Sequence, residues 1–85
     1  MTARAQVFVQ LKDGMLDPQG KALEHALDTL GYRGVEDVRV GKWITFKVAG
    51  EGREEIERRV EEMCNRLLAN TVIERFTFEL DEERS

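Results

Sequence analysis

The sequence is short of the residues that carry most enzyme chemistry. It contains one cysteine, one histidine and one proline, and its only serine is Ser85. A lone Cys64 cannot close an internal disulfide, and neither a second cysteine nor a neighbouring histidine accompanies it to hold zinc. Without an internal serine there is no serine triad. Long apolar runs are missing too. None approaches the roughly 18 residues that a membrane span needs, and the N-terminus has no signal-peptide core, so a cytoplasmic location is expected. Clustered positive charge is also absent: the net charge is −4, acidic residues crowd Glu54 to Glu62 and the tail, and no basic face alternates with aromatics. That excludes nucleic acid as the expected ligand.

What remains fits a single domain spanning residues 1–85. A chain of this size buries only about 60% of the surface its unfolded form exposes, so a partner would add to its stability. Charged residues at 35% and apolar residues at 41% give the balance of a folded chain rather than a disordered one.

The order of elements can be read from periodicity. Gln6 to Lys12 alternates, with Val7, Val9 and Leu11 on one face, and predicts a first strand. Asp17 before Pro18 has the form of an N-cap before the first helical position. Ala22, Leu23, Ala26, Leu27 and Leu30 then follow helical spacing, predicting a helix that packs one face on the sheet and ends at Gly31. Between Val35 and Val48, the residues Val38, Val40, Ile44, Phe46 and Val48 share one parity. A single long strand bent at Gly41 keeps them on one face and is preferred. A two-residue hairpin at Gly41-Lys42 would split that set, and a three-residue loop would force Trp43 into a left-handed conformation. Eleven residues of strand at about 3.3 Å each span roughly 36 Å, longer than the roughly 30 Å diameter of a compact domain this size. Half the strand should therefore protrude and pair with a second copy.

Arg53 onward predicts a second helix with Ile56, Val60, Met63, Cys64, Leu67 and Leu68 on one stripe and Glu54–Arg58, Glu55–Arg59 and Glu62–Arg66 as i,i+4 pairs. Asn70 suits a left-handed cap. Val72 to Leu80 is a last strand with Phe76, Phe78 and Leu80 inward, and Asp81 to Ser85 are expected to fray. The expected fold is α+β: a ferredoxin-like half-sandwich, strand-helix-long strand-helix-strand, with two helices on one face of an antiparallel sheet, dimerising through the long bent strand.

Candidate chemistry is sparse. His25 lies opposite the apolar centre of its helix and reads as solvated, while Cys64 sits in an apolar stripe where burial makes a thiol inert. Gly50-Glu51-Gly52 lacks the lysine and hydroxyl residue of a phosphate loop, and Asp13 and Asp17 are accounted for by a turn and a cap. Gly41-Lys42-Trp43 sets a cation beside a large aromatic in mid-strand. It reads either as a lysine guarding a strand edge or as a subunit contact. Gln19 and Gly20 are not required by the helix cap, and Gly20 weakens a first turn by about 1 kcal/mol relative to alanine, a cost that makes sense if another backbone approaches.

Taken in order, Val7-x-Val9-x-Leu11-Lys12-x-Gly14-x-Leu16-Asp17-Pro18-Gln19-Gly20, then Arg39-x-Gly41-Lys42, then Met63-Cys64-x-x-Leu67-Leu68-Ala69-Asn70-x-Val72-Ile73-Glu74 resemble the PurS family, the small subunit of phosphoribosylformylglycinamidine synthase. The resemblance covers Ala5 to Leu80; Thr71 departs from it, standing where the family commonly has proline. It implies a non-catalytic subunit in purine biosynthesis that bridges a glutaminase (PurQ-like) and a synthetase (PurL-like) subunit and assists ammonia transfer. ATP and magnesium would then sit on the synthetase and no cofactor on this chain. A homodimer or homotetramer is expected, with Gln19, Gly20, Gly41, Lys42, Trp43 and Asn70 as candidate subunit contacts. Two other classes have weaker support. An ACT-like effector-sensing domain shares the element order but favours a glycine-rich turn where Asp17-Pro18 stands. An RNA-recognition module would need more exposed aromatics than Phe8 and Trp43.

Overall fold

The computed structural model describes residues 1–83. Strand β1 (Thr2–Leu11) is followed by helix α1 (Pro18–Thr29), strand β2 (Lys42–Ala49), helix α2 (Arg53–Met63) with a π turn (Cys64–Leu68) on its end, and strand β3 (Glu74–Glu83). The three strands form one sheet in the order β2-β1-β3, and β1 runs antiparallel to both neighbours. β1 starts four residues before the alternating run, because Ala3 and Ala5 continue the buried face of Val7 and Val9 with small side chains that periodicity undercounts.

The core lies on one face of this sheet. Ala3, Ala5, Val7 and Val9 of β1 and Val48 and Leu80 of its neighbours pack against Ile56, Val60 and Cys64 of α2 and its π turn. Ile56 and Val60 are fully buried, and each contributes about 1.5–3 kcal/mol relative to exposure. β2 and β3 are parallel to each other across β1, so their link must cross the sheet, and α2 is that crossover.

Helix α1 departs from expectation. It joins antiparallel neighbours, a connection that needs no crossover, and it does not cover the sheet: among the described residues of α1 only Gly20 is buried. Leu23 is 50% exposed, and Leu30, which caps the helix, 73%. The chain is accordingly elongated, 51 × 29 × 15 Å with a radius of gyration of 16.7 Å, against about 12 Å for a compact domain of its length. The helix is well terminated even so. Asp17 caps its start, and Gly31, at φ 95°, closes its end with Gly31 N–H to Asp28 O and Tyr32 N–H to Leu27 O, each 3.0 Å.

The long bent strand is also corrected. Strand structure begins at Lys42, opposite Val9, and residues 35–41 run irregularly toward it, forming neither a strand nor a hairpin. The reason lies 23 residues back in the chain: the Val40 N–H is taken by the Asp17 carboxylate instead of a neighbouring strand. Protrusion is real, but α1 and its return segment protrude rather than half a strand. At the other end, Asp81 to Glu83 stay paired with Thr2 to Arg4 instead of fraying. Residues Arg84 and Ser85 lie outside the described residues.

The stripe of α2 changes phase at its end. The Ala69 N–H bonds the carbonyl of Cys64, five residues back, at 3.0 Å, and this wide turn swings Leu67 outward to 82% exposure rather than leaving it on the buried stripe. On the wet side Glu62–Arg66 pairs at 3.3 Å, as does Arg53–Glu57 at 3.0 Å. Glu55 instead accepts the Glu51 N–H, and Arg59 donates to the Ala49 carbonyl.

Candidate subunit-contact surfaces

Among the described residues the buried polar or charged side chain is Asp17, a carboxylate only 7% exposed. Its Oδ1 accepts the Gly20 N–H at 2.9 Å, which caps α1, and its Oδ2 accepts the Val40 N–H at 2.8 Å, which ties the return segment to that cap. The Val40 N–H, then the Gly20 N–H, hold its carboxyl below the usual value; burial opposes them and the nearby Arg39 adds to them. Arg39 completes the junction by donating to the Met15 carbonyl at 3.0 Å.

Gly20 belongs to the same junction. A Cβ there would lie 2.1 Å from the Val38 carbonyl oxygen. The expected close approach of another backbone exists, and it comes from this chain. Gly41 is similarly confined, since its Cβ would lie 2.6 Å from the Val9 carbonyl oxygen.

The structure brings Gln19, Gly41 and Lys42 together, on the wall of a cleft that also has Val9, Leu11 and Glu74 in its lining. Trp43 lies elsewhere. It shares the opposite sheet face with Phe8, its cross-strand partner, is 67% exposed, and donates from Nε1 to Gln6 Oε1 at 3.1 Å. Asn70 shapes the turn into β3. Its Oδ1 accepts the Val72 N–H at 3.2 Å and its N–H donates to Glu74 Oε1 at 2.7 Å. It does not take the left-handed conformation expected of it; among the described residues the non-glycine that does is Asp37, at φ 55°. The side-chain turn explains why: it closes the bend with ordinary backbone angles.

Two apolar surfaces were not foreseen. One is the outer face of α1. The other is a groove of about 530 Å³ beside α2, lined by Phe46, Met63, Leu67 and Leu68 with Arg59, Glu62 and Arg66 around it. The signal for the groove was present in the stripe from Ile56 to Leu68, which carries more apolar residues than one helix buries against a three-stranded sheet. His25 is exposed on α1. Cys64 is buried, and burial, with Glu61 adding, raises its thiol pKa above the ordinary value. Among the described residues no three His, Cys, Asp or Glu side chains converge as a metal site would require. No helix among them is long and apolar enough to cross a membrane.

A small α+β domain that leaves Leu23 and Leu30 of α1, Trp43 of β2 and Leu67 beside α2 exposed has the surface of a chain that works through contacts with others. Comparison with known proteins narrows that description. The chain belongs to the PurS family: the family model described as phosphoribosylformylglycinamidine (FGAM) synthase matches residues 4–82. It is 44% identical over 79 residues to the phosphoribosylformylglycinamidine synthase subunit PurS of Bacillus subtilis, covering 93% of each chain. It superposes on Methanocaldococcus jannaschii PurS, described as one of the subunits of formylglycinamide ribonucleotide amidotransferase in the purine biosynthetic pathway. That match has a TM-score of 0.83 and 35% identity over 96% of this chain and 99% of that one. A chain of the Thermotoga maritima PurLQS structure matches at a TM-score of 0.87 and 27% identity, over 95% and 99%. The ACT-like reading is not favoured by these matches.

Proposed function

We propose that this chain is the small, non-catalytic subunit of phosphoribosylformylglycinamidine synthase. The assembly would convert formylglycinamide ribonucleotide and glutamine, with ATP, to formylglycinamidine ribonucleotide and glutamate in cytoplasmic purine biosynthesis. The reading is carried by family membership across residues 4–82. In this reading the chain bridges a glutaminase and a synthetase subunit, like those of the PurLQS assembly, and assists passage of ammonia from the first to the second. ATP and magnesium bind the synthetase.

The chain works as a homodimer or homotetramer. The exposed faces of α1 and of the groove beside α2 support this, since a domain this small leaves such surface wet at a cost to its stability. Gln19, Gly41 and Lys42, clustered in one cleft, and Trp43, on the opposite sheet face, give it two separate places for partner contact.

Reconstitution tests the reading. The chain is mixed with the glutaminase and synthetase, and product formation from glutamine is compared with that from ammonia. Glutamine-dependent turnover should require this chain while ammonia-dependent turnover should not. Equal glutamine-dependent rates with and without it would defeat the bridging role.

A further inference from the structure

The pairing of β1 with β2 stops one rung short of what the backbone offers. The Lys12 N–H bonds the Ile73 carbonyl, and at the other end of the sheet the Gly50 N–H bonds the Met1 carbonyl. With the register, these two bonds fix the direction of every peptide group between them: even-numbered residues of β1 bond β3, and odd-numbered ones bond β2. Val9 with Lys42 is therefore the last hydrogen-bonded rung toward β2. Leu11 has its N–H and C=O aimed the same way, toward residue 40, and neither has a hydrogen-bond partner among the described residues.

The group that would complete the rung lines the same cleft and is engaged elsewhere. The Val40 N–H donates to Asp17 Oδ2 at 2.8 Å, and Val9, Leu11, Asp17, Val40 and Gly41 share the cleft wall. The side chains do not oppose the pairing. Val38 and Val40 have the parity of Ile44, Phe46 and Val48, so an extended β2 would bring Val40 to the face that carries Val9 and Leu11. Gly41 already lies against the Val9 carbonyl, which keeps the chain beside β1 as it enters the gap. The competing bonds are close to balance as well. A charge-assisted bond is roughly twice as strong as a neutral one, and here one bond to Asp17 stands against the two that Leu11 and Val40 would exchange.

We propose that the Val40 N–H is a two-position switch, held by Asp17 in this structure and by the Leu11 carbonyl in a second state whose β2 begins at Val40. That state recovers part of the longer strand indicated by the parity of Val38 and Val40. The exchange also moves α1. Gly20 sits against the Val38 carbonyl and Arg39 ties the return segment to Met15, so drawing Val40 into the sheet shifts the junction that carries the helix. A partner that offers Asp17 a cation favours the second state, and one that fills the cleft favours the first; either sets the placement of α1.

Asp17→Ser tests the switch, because serine is as good an N-cap and keeps a bond to Gly20 while being too short to hold Val40 as well. The full-length variant and wild type are compared by NMR, with far-UV circular dichroism to monitor folding. Amide exchange at Leu11 should slow by roughly fivefold in the variant, the protection of one net hydrogen bond. An Hα–Hα contact should also appear between Lys12 and Arg39, the non-hydrogen-bonded pair just beyond the new rung. Asp17→Thr, also an N-cap, takes the place of the serine variant should that one fail to fold. The proposal is overturned if Leu11 exchanges as fast as in wild type or faster, or if the contact between Lys12 and Arg39 is absent.

Discussion

The carboxylate of Asp17 accepts the backbone N–H of Val40, 23 residues further along the chain, at 2.8 Å while it also caps helix α1. One side chain thereby fixes both where the helix begins and where the return strand is approached. Asn at this position offers a single acceptor oxygen to two N–H donors and turns its own N–H₂ toward one of them. Asp17→Asn should therefore lower the thermal midpoint and speed amide exchange at Val40 or Gly20. Unchanged exchange at both would show that the bonds do not hold the junction.

The same carboxylate makes the stability pH-dependent with a definite sign. Its folded-state pKa is lowered below the ordinary 3.8, so the unfolded chain binds the proton more tightly. Its contribution is fully present above that value and is lost as pH falls through the folded pKa. Denaturant titrations of wild type and Asp17→Asn should therefore converge as the pH is taken below about 3.8 and stay separated above it. A constant separation across that window would contradict the assignment.

Gly20→Ala separates helix propensity from packing. In an uncrowded helical turn, alanine stabilises by about 1 kcal/mol. Here its methyl would meet the Val38 carbonyl at 2.1 Å, so the junction must open. The variant should be less stable than wild type by about 1–3 kcal/mol, the usual cost of overpacking. A chemical-denaturation midpoint at or above the wild-type value would refute the close approach.

Ile56 and Trp43 should behave oppositely. Ile56 is fully buried beneath the sheet, and Ile56→Ala should cost about 2–5 kcal/mol, enough to threaten a domain this small. Trp43 is 67% exposed with one side-chain hydrogen bond, so Trp43→Ala should leave unfolding within about 1 kcal/mol of wild type. Its effect should emerge in light-scattering mass or in glutamine-dependent turnover of the reconstituted assembly. If mass and turnover both stay at wild-type values, Trp43 is not a subunit contact.

Cys64 offers a probe of global opening. It is fully buried, and burial raises its thiol pKa, so little reactive thiolate is present in the folded chain. Alkylation at neutral pH should be slow in buffer and accelerate in step with loss of circular dichroism as denaturant is added. Rapid labelling of the native protein would show that the helix end opens locally.

The sequence carried the elements well and their placement less well. Asp17-Pro18, Gly31 and Arg53 mark helix ends through local chemistry, and the structure puts the ends there. The alternation of Val7 and Val9 likewise gives the buried face of β1. The sheet position of Val38 and Val40 was not legible, because their parity continues that of Ile44 to Val48 while a distant carboxylate captures the Val40 N–H. Periodicity also marked an apolar face on α1 without saying which surface would meet it. Of the candidate contacts, Gly20 was singled out for the right physical reason, a close backbone, but the backbone proved to be its own chain's.

The π turn at Cys64–Leu68 makes the groove a matter of counting rather than composition. An ordinary helix continued from Ile56, Val60 and Cys64 would carry Leu67 around toward the sheet; one additional residue in the turn delays that rotation and leaves Leu67 at the rim. Removing a single residue between Cys64 and Leu68 would keep almost every side chain yet turn each later one by about 100° relative to the sheet, and so remake the groove's lining. Insertions and deletions there should therefore be far less tolerated than substitutions.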